Sequence, residues 1–337
     1  MIEFRHGEET VRLGPGETFR AEPRETYRDA DPDALRSLVS EIESGAPWRE
    51  AVQRRFRETN PWLARVVTDP SRDLFFRLHP PPAGAKVLDV GAGWGQHALP
   101  LARTHATAAL EPAPERIDFI RAAAVQEGVA GRLCFLQADL FDIEFSTRFD
   151  LVACIGVLEW VPRFRPGDPR ELQLRFLARL RGLLAPGGRL VVGIENRLGL
   201  KYLLGANDDH IVHPGIAVFD QALAQRKHRK ATAGAPLRVF TYTRAEYRDL
   251  LSEAGFGDLS FFAALPDYKV PREIVPLAVP GALDAYFLGG HFVPEHDGSN
   301  GRPLPLQDEL KSHYLSLARL GISEAFAPSY FITAAGG

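Results

Sequence analysis

The chain has 337 residues, 45% of them hydrophobic and 25% charged, with a formal net charge of -3. That balance is ordinary for a globular protein and sets up no global positive field, so no nucleic-acid partner is expected. No apolar run approaches the roughly 20 residues of a spanning helix, and Met1 to His6 lacks the apolar stretch of a secretory signal, so a cytoplasmic chain without a membrane span is expected. The only two cysteines, Cys134 and Cys154, sit inside apolar runs and read as small buried hydrophobes rather than a disulfide or metal pair.

Taken in chain order, Ile2, Phe4, Val11 and Leu13 suggest a hairpin around His6-Gly7-Glu8-Glu9. Asp31-Pro32-Asp33 opens a predicted helix with Leu35, Leu38, Val39 and Ile42 on one face, and Trp48, Val52, Phe56 and Trp62 predict a second, interrupted at Asn60-Pro61. Residues 1–82 therefore form an N-terminal hairpin and helical cap, joined by Pro80-Pro81-Pro82 to the rest. From Ala85, short apolar strands (86–90, 107–110, 133–136, 150–155 and 189–194) alternate with amphipathic helices, the pattern of a parallel sheet covered on both faces. One of these helices opens at Pro114. Another carries Leu172, Phe176, Leu180 and Leu184 and is expected to stop at Ala185-Pro186-Gly187-Gly188. A helix from Thr243 to Ala254 and strands at 259–262 and 329–333 follow, with long insertions near 198–239 and 267–328.

A glycine-rich turn, Asp89-Val90-Gly91-Ala92-Gly93-Trp94-Gly95-Gln96, sits directly after the first of these strands, at the position where open α/β sheets bind ligands. A dinucleotide fingerprint requires a glycine three residues after the second one, and Gln96 stands there, so a nicotinamide oxidoreductase is disfavoured. The pattern Asp-x-Gly-x-Gly-x-Gly resembles the first motif of the class I S-adenosylmethionine-dependent methyltransferases. Glu111, Ala138-Asp139-Leu140, Ile155 to Glu159 and Leu184 to Leu190 continue the likeness in register.

The resemblance implies an α/β, Rossmann-like sheet, mostly parallel with its last strand antiparallel, over residues 83–337, with the cap and insertions covering the substrate. It also implies S-adenosylmethionine as cofactor and S-adenosylhomocysteine as product. By the family pattern, Glu111, followed by Pro112, accepts from the ribose hydroxyls. Asp139 and Leu140 meet the adenine, and Ile155, Gly156 and Glu159 offer carbonyls to the methionine ammonium. Asp89, Gly91, Ala92, Gly93 and Gly95 line the remainder of the cofactor. Asp139 alternatively reads as a turn cap.

Many relatives carry a histidine in the stretch where this chain has Trp160, so a base must come from elsewhere. Glu195 and Asn196 close the fifth strand, and Asn207-Asp208-Asp209-His210 follows. The reading taken is catalytic for Glu195, Asn196 and His210, with His210 oriented by a carboxylate. A metal at Asp208, Asp209 and His210, or a plain polar loop tip, are the alternatives, and no metal is assigned. Gln225 to Lys230 is a basic run read as a solvated face or disordered loop, or else a contact for an anionic acceptor. Pro266-Asp267-Tyr268-Lys269 reads as acceptor-pocket lining or as an ordinary strand-exit turn, and Trp48, Trp62 and Trp94 could stack on an acceptor, with cap-helix core the preferred role for the first two.

The expected function is methyl transfer to an O or N atom of a small-molecule or glycan acceptor. The alternatives are a binding module without turnover and a nucleic-acid methyltransferase. Ile194 to Tyr202 together with Pro266 to Lys269 also resembles a bacterial subset of the family associated with surface-polysaccharide assembly.

Overall fold

The computed structural model describes residues 1–211, 213, 215–294 and 307–336. The chain forms two compact units, residues 1–155 with 179–191, and residues 156–178 with 192–335.

The first unit begins with the expected hairpin, β1 (Ile2–His6) and β2 (Glu9–Leu13), paired antiparallel. A short β3 (Thr18–Arg20) precedes the helices α1 (Pro32–Glu43), α2 (Trp48–Phe56), α3 (Pro61–Thr68) and α4 (Leu74–Leu78). The Asp31 side chain caps α1 by accepting from the Asp33 and Ala34 N–H groups, and Asn60 caps α3 by accepting from Leu63. This capping is why the second predicted helix breaks where it does. The faces they bury, led by Leu35, Leu38, Ile42, Trp48 and Val52, join one apolar core.

Then come β4 (Lys86–Val90), α5 (Ala98–Leu101), β5 (Ala106–Leu110), α6 (Pro114–Gln126), β6 (Leu133–Gln137), β7 (Ile143–Phe145) and β8 (Phe149–Ile155). β8, β4, β5, β6 and β3 lie side by side in that order, all in parallel register. β7 instead pairs antiparallel with β1. Ile117, Ile120 and Ala124 of α6 are buried as their spacing requires, and both cysteines are buried, in β6 and β8, and outside any disulfide. Burial pushes the Cys134 thiol up to about 11, consistent with an inert hydrophobe.

Helix α7 (Pro169–Gly182) leads into the long strand β9 (Leu184–Glu195). The expected stop at Ala185 to Gly188 is corrected: the helix ends at Gly182, and Leu184 already belongs to the strand. The chain turns at Leu183, whose carbonyl accepts from the Phe149 N–H at 2.9 Å, so strand pairing overrides the helical spacing of Leu184.

The second unit contains α8 (Leu200–Leu203), α9 (Gln221–Ala231), α10 (Arg244–Glu253), β10 (Phe256–Leu265), β11 (Glu273–Pro276), α11 (Ala282–Leu288), α12 (Gln307–Arg319) and β12 (Ser329–Gly336). Its strands run β11, β10, β12 and then the end of β9. Thr243 and Glu246 close a reciprocal capping box on α10. Both insertions carry structure of their own, α8 and α9 in one and β11, α11 and α12 in the other. Residues 212, 214 and 295–306 of these insertions lie outside the described residues. No helix among the described residues is long and apolar enough to cross a membrane.

Candidate active site

In the first unit the glycine turn leaves β4 as its spacing requires. Gly91, Gly93 and Gly95 all take positive φ, and the Gly91 and Ala92 N–H groups donate to the Leu110 carbonyl at 2.8 and 3.0 Å. Gly95 shows why no side chain fits: at φ +79° its Cβ would lie 3.1 Å from Ile120 Cγ1 and 3.2 Å from Leu99 Cγ. Gly95→Ala is expected to destabilise the chain by about 1–3 kcal/mol, read from urea unfolding, because overpacking and a left-handed alanine add. An unchanged midpoint would contradict this packing.

Glu111 follows β5 and is almost fully buried. Its Oε2 accepts from the Gly93 N–H at 2.9 Å and its Oε1 from the Ala113 N–H at 3.1 Å, with Arg116 at 3.5 Å. Burial raises its pKa, partly offset by Arg116 and the two N–H donors. The carboxylate thus holds the turn and the following loop together. Asp29 extends the network: it accepts from Arg116 at 2.7 Å and from the Trp94 indole at 3.2 Å. Nothing in the spacing of the motifs points to Asp29 or Arg116.

Trp94 itself is corrected from a stacking candidate to core. It is buried, with its ring edge-to-face against Phe56 and Phe119. Trp48 is core likewise, against Phe119.

Asp139 sits half-buried after β6, its side chain accepting from the Phe141 N–H at 2.8 Å, so the cap geometry is present in this state. Leu140 is buried beside it, and Pro112 accepts at its carbonyl from Gln137 at 3.4 Å.

Asp89 is buried in β4, and burial pushes its carboxyl up to about 7, against the partial opposing pull of the Ala98 N–H and Arg72. An acid whose folded pKa is raised loses stability as pH climbs from its unfolded value of 3.8 through about 7. Asp89→Asn, which mimics the protonated form, is therefore expected to gain stability over wild type progressively from pH 4 to 7. The gain should level off at a few kcal/mol above that. Equal gains in denaturant unfolding at pH 4.5 and pH 8 would contradict it.

The second unit gathers a buried cluster of charge. After β8, Gly156 at φ +70° begins the stretch to Glu159, and its N–H donates to the Gly193 carbonyl at 2.8 Å. A Cβ on Gly156 would stand 2.8 Å from the Tyr268 hydroxyl, so that turn too must be glycine. Glu159 is fully buried and Glu195, at the end of β9, is 1% exposed. His210 Nε2 lies 3.6 Å from Glu159 Oε1 and 3.5 Å from Glu195 Oε2, while its Nδ1 is 3.1 Å from Asp208 Oδ1. The imidazole packs edge-on against Trp160, ring centroids 5.2 Å apart. The insertion therefore returns a histidine to the stretch that lacks one.

The two lysines pair with Glu195 and Asp209. Lys269 binds Glu195 Oε1 and also reaches Asp209 at 3.2 Å, and Lys201 binds Asp209 at 3.1 Å. The Tyr268 hydroxyl donates to Glu195 Oε1 at 3.3 Å. Asp208 and Asp209, adjacent in sequence, thus point to different partners, and the expected alternative set of Asp208, Asp209 and His210 does not converge.

Burial raises the Glu159 pKa, and Glu195 adds to it against the pull of His210. Burial opposes charge on Glu195 too, but Lys269 and His210 more than offset it and hold the carboxyl below its usual range. Burial works against charge on His210, yet Glu195, Asp208 and Glu159 outweigh it and hold the imidazole protonated well above its usual range.

Asn196 is the one expected catalytic residue whose groups are committed elsewhere. It is fully buried, donates to the Ala325 and Ala327 carbonyls at 2.9 Å each, and accepts from the Leu198 N–H at 3.1 Å. The correction is to a residue that holds the end of β9 against the 325–327 segment. The basic run lies on α9, where Arg226, Lys227, Arg229 and Lys230 are exposed and His228 is buried.

A cavity of about 200 Å³ opens in the same unit, lined by Asp208, Ile211, Ile216, Phe219, Leu237 and Phe240 among others. Its walls mix apolar side chains with polar and charged ones, among them Arg170, Thr241 and Asp249. Arg197 borders it but is committed to Glu246 by two hydrogen bonds of 2.8 and 3.0 Å.

Residues 88–192 match the family model described as a methyltransferase domain. The chain is 35% identical over 124 residues to a ubiquinone biosynthesis O-methyltransferase of Xanthomonas axonopodis pv. citri, covering 36% of this chain and 48% of that one. It is 32% identical over 135 residues to the tRNA 5-carboxymethoxyuridine methyltransferase of Escherichia coli, covering 39% and 48%. The chain thus spans about half the length of the first curated relatives it matches. Among solved structures, the CcbJ methyltransferase from Streptomyces caelestis is similar at 15% identity and a TM-score of 0.46, over 79% of this chain and 88% of that one. With the glycine turn and Glu111 in register, residues 88–192 thus carry a methyltransferase domain.

Proposed function

We propose that the chain transfers the methyl group of S-adenosylmethionine to an oxygen or nitrogen of a small-molecule or glycan acceptor. In this reaction an acceptor lone pair forms the new C–O or C–N bond while the S–CH3 bond breaks. Its electrons pass to sulfur, and S-adenosylhomocysteine is released. The sulfonium is already activated, so orientation of the two reactants and removal of the acceptor proton are what the protein must supply.

On this reading Glu111 takes the ribose hydroxyls, Asp139 and Leu140 meet the adenine, and Asp89, Gly91, Ala92, Gly93, Gly95 and Pro112 line the donor. Ile155, Gly156 and Glu159 offer backbone carbonyls to its ammonium. The acceptor proton goes to the Glu159–His210 pair: a carboxylate raised by burial and an imidazole oriented by Asp208, titrating as one unit. Glu195, tied to Lys269, keeps the pair in place.

The observation that carries the acceptor side is that four buried polar atoms of three neighbouring side chains have no hydrogen bond among the described residues: both Glu159 oxygens, Glu195 Oε2 and His210 Nε2. The cavity that shares Asp208 has room for a group the size of a single ring, which favours a small acceptor over a polymer face. A second reading, an RNA acceptor, draws on the four exposed cations of α9, whose binding would fall steeply with salt.

Incubating the full chain with methyl-labelled donor and separated small-molecule, glycan, protein and RNA fractions tests the proposal. Label in the small-molecule or glycan fraction is expected. Label confined to RNA or protein, or to no fraction, would overturn it.

A further inference from the structure

We propose that the second unit holds a divalent metal ion between Glu159 Oε1, Glu195 Oε2 and His210 Nε2. The inference deepens the acceptor-side reading above and rests on it only for what the ion does in catalysis. The site itself stands on geometry.

The three atoms lie within 4.8 Å of one another. The imidazole nitrogen is 3.6 Å from one carboxylate oxygen and 3.5 Å from the other. A tetrahedral ion with bonds of about 2.0–2.2 Å holds neighbouring ligand atoms roughly 3.3–3.6 Å apart, so these separations are those of ligands around an ion. They are too long for the hydrogen bonds that would otherwise satisfy the groups.

The second observation is what these atoms lack. Glu159 Oε1 and Oε2, Glu195 Oε2 and His210 Nε2 are all buried and have no hydrogen-bond partner among the described residues. Buried polar atoms are nearly always partnered, and three of these, one from each side chain, lie close enough to share a group that fills the space between them.

The surrounding residues complete the pattern. Asp208 faces His210 Nδ1 at 3.1 Å and also accepts from the His210 N–H at 2.8 Å, which fixes the ring and aims Nε2 at the two glutamates, where an ion would displace its proton. A carboxylate behind a ligating imidazole is the usual support of such a ligand. Lys269 and Tyr268 hold the other oxygen of Glu195, so only Oε2 is left to bind. Five buried or half-buried carboxyl groups gather here (Glu159, Glu195, Asp208, Asp209 and Asp267) against only Lys201, Lys269 and His210, so acidic groups outnumber basic ones and a dication would offset the excess.

One imidazole and two carboxylates make a mixed N/O set suited to zinc or manganese rather than to magnesium or calcium, which take oxygen alone. Three protein ligands leave a position open. An acceptor hydroxyl bound there would lose its proton more readily, to the remaining Oε2 of Glu159, and the alkoxide would form the new C–O bond as the S–CH3 bond breaks and its electrons pass to sulfur.

The test uses the full chain stripped by a chelator and titrated with zinc chloride or manganese chloride, following heat release and metal content. One ion per chain is expected. Glu159→Gln and His210→Ala should each weaken binding at least 100-fold, and the supporting variant Asp208→Asn about 10- to 100-fold. The exposed Arg229→Ala should bind as wild type does. Retained S-adenosylmethionine binding by each variant shows that it has folded. A stripped chain that takes up no ion, or a His210→Ala chain that binds it equally well, overturns the site. Methyl transfer unchanged after stripping overturns the ion's part in catalysis. Ion uptake by a chain that fails to bind S-adenosylmethionine leaves the site standing and removes the methyltransferase reading instead.

Discussion

His210→Ala is expected to lower kcat for methyl transfer by about two to four orders of magnitude, the range for disabling a positioned proton-accepting group, here the Glu159–His210 pair. The affinity for S-adenosylmethionine should stay within a few-fold of wild type. The side chain is 5% exposed, and its only ion-pair partners among the described residues are Glu159, Glu195 and Asp208. Its removal therefore leaves carboxylates facing one another without the charge between them. That also costs stability, by about 3–5 kcal/mol for a broken buried pair. The measurements are steady-state kinetics on the folded fraction, isothermal titration with the donor, and urea unfolding. A variant that keeps wild-type kcat would remove His210 from the chemistry. One that loses donor binding as much as turnover would make its role structural.

The second large effect is at Glu111. Glu111→Ala is expected to weaken S-adenosylmethionine binding by about 100-fold, since a lost charge-assisted contact in a buried site costs on the order of 2–5 kcal/mol. Two causes add. The carboxylate is the group assigned to the ribose hydroxyls, and it also accepts from the Gly93 N–H, so its loss loosens the glycine turn itself. Glu111→Gln separates them: it keeps the shape and one acceptor oxygen at the turn but removes the charge, and should fall between alanine and wild type. Arg116 retains Asp29 at 2.7 Å in either variant, which limits the damage to the fold. Unaltered donor affinity in the alanine variant would refute the assignment.

The parallel strands of the first unit were legible because each is a short apolar run beside a helix of 3.6 periodicity, and β4, β5, β6 and β8 fall within a residue of their expected bounds. β3 was not, because three residues carry no periodicity, and only pairing with β6 makes Thr18–Arg20 a strand. The end of α7 failed for a related reason. Leu184 keeps helical spacing, but tertiary pairing claims it for β9.

At the site, the glycine turn and Glu111 were readable since backbone conformation and chain spacing fix them. His210 and Glu195 were readable as polar residues after a strand end. Glu159 was assigned through its carbonyl, whereas its carboxylate faces His210, a contact made by residues fifty positions apart. Which of Asp208 and Asp209 orients the imidazole, and that Asn196 is spent on the 325–327 carbonyls, depend on side-chain direction, which composition and spacing do not encode.

The central claim is that this chain holds an adenosyl thioether or sulfonium and no other nucleotide at its glycine turn. Isothermal titration of the full chain with S-adenosylhomocysteine, and separately with NAD, tests it most directly. One S-adenosylhomocysteine bound per chain, with NAD silent, is the predicted result. A silent S-adenosylhomocysteine titration, or NAD bound in its place, would contradict the account.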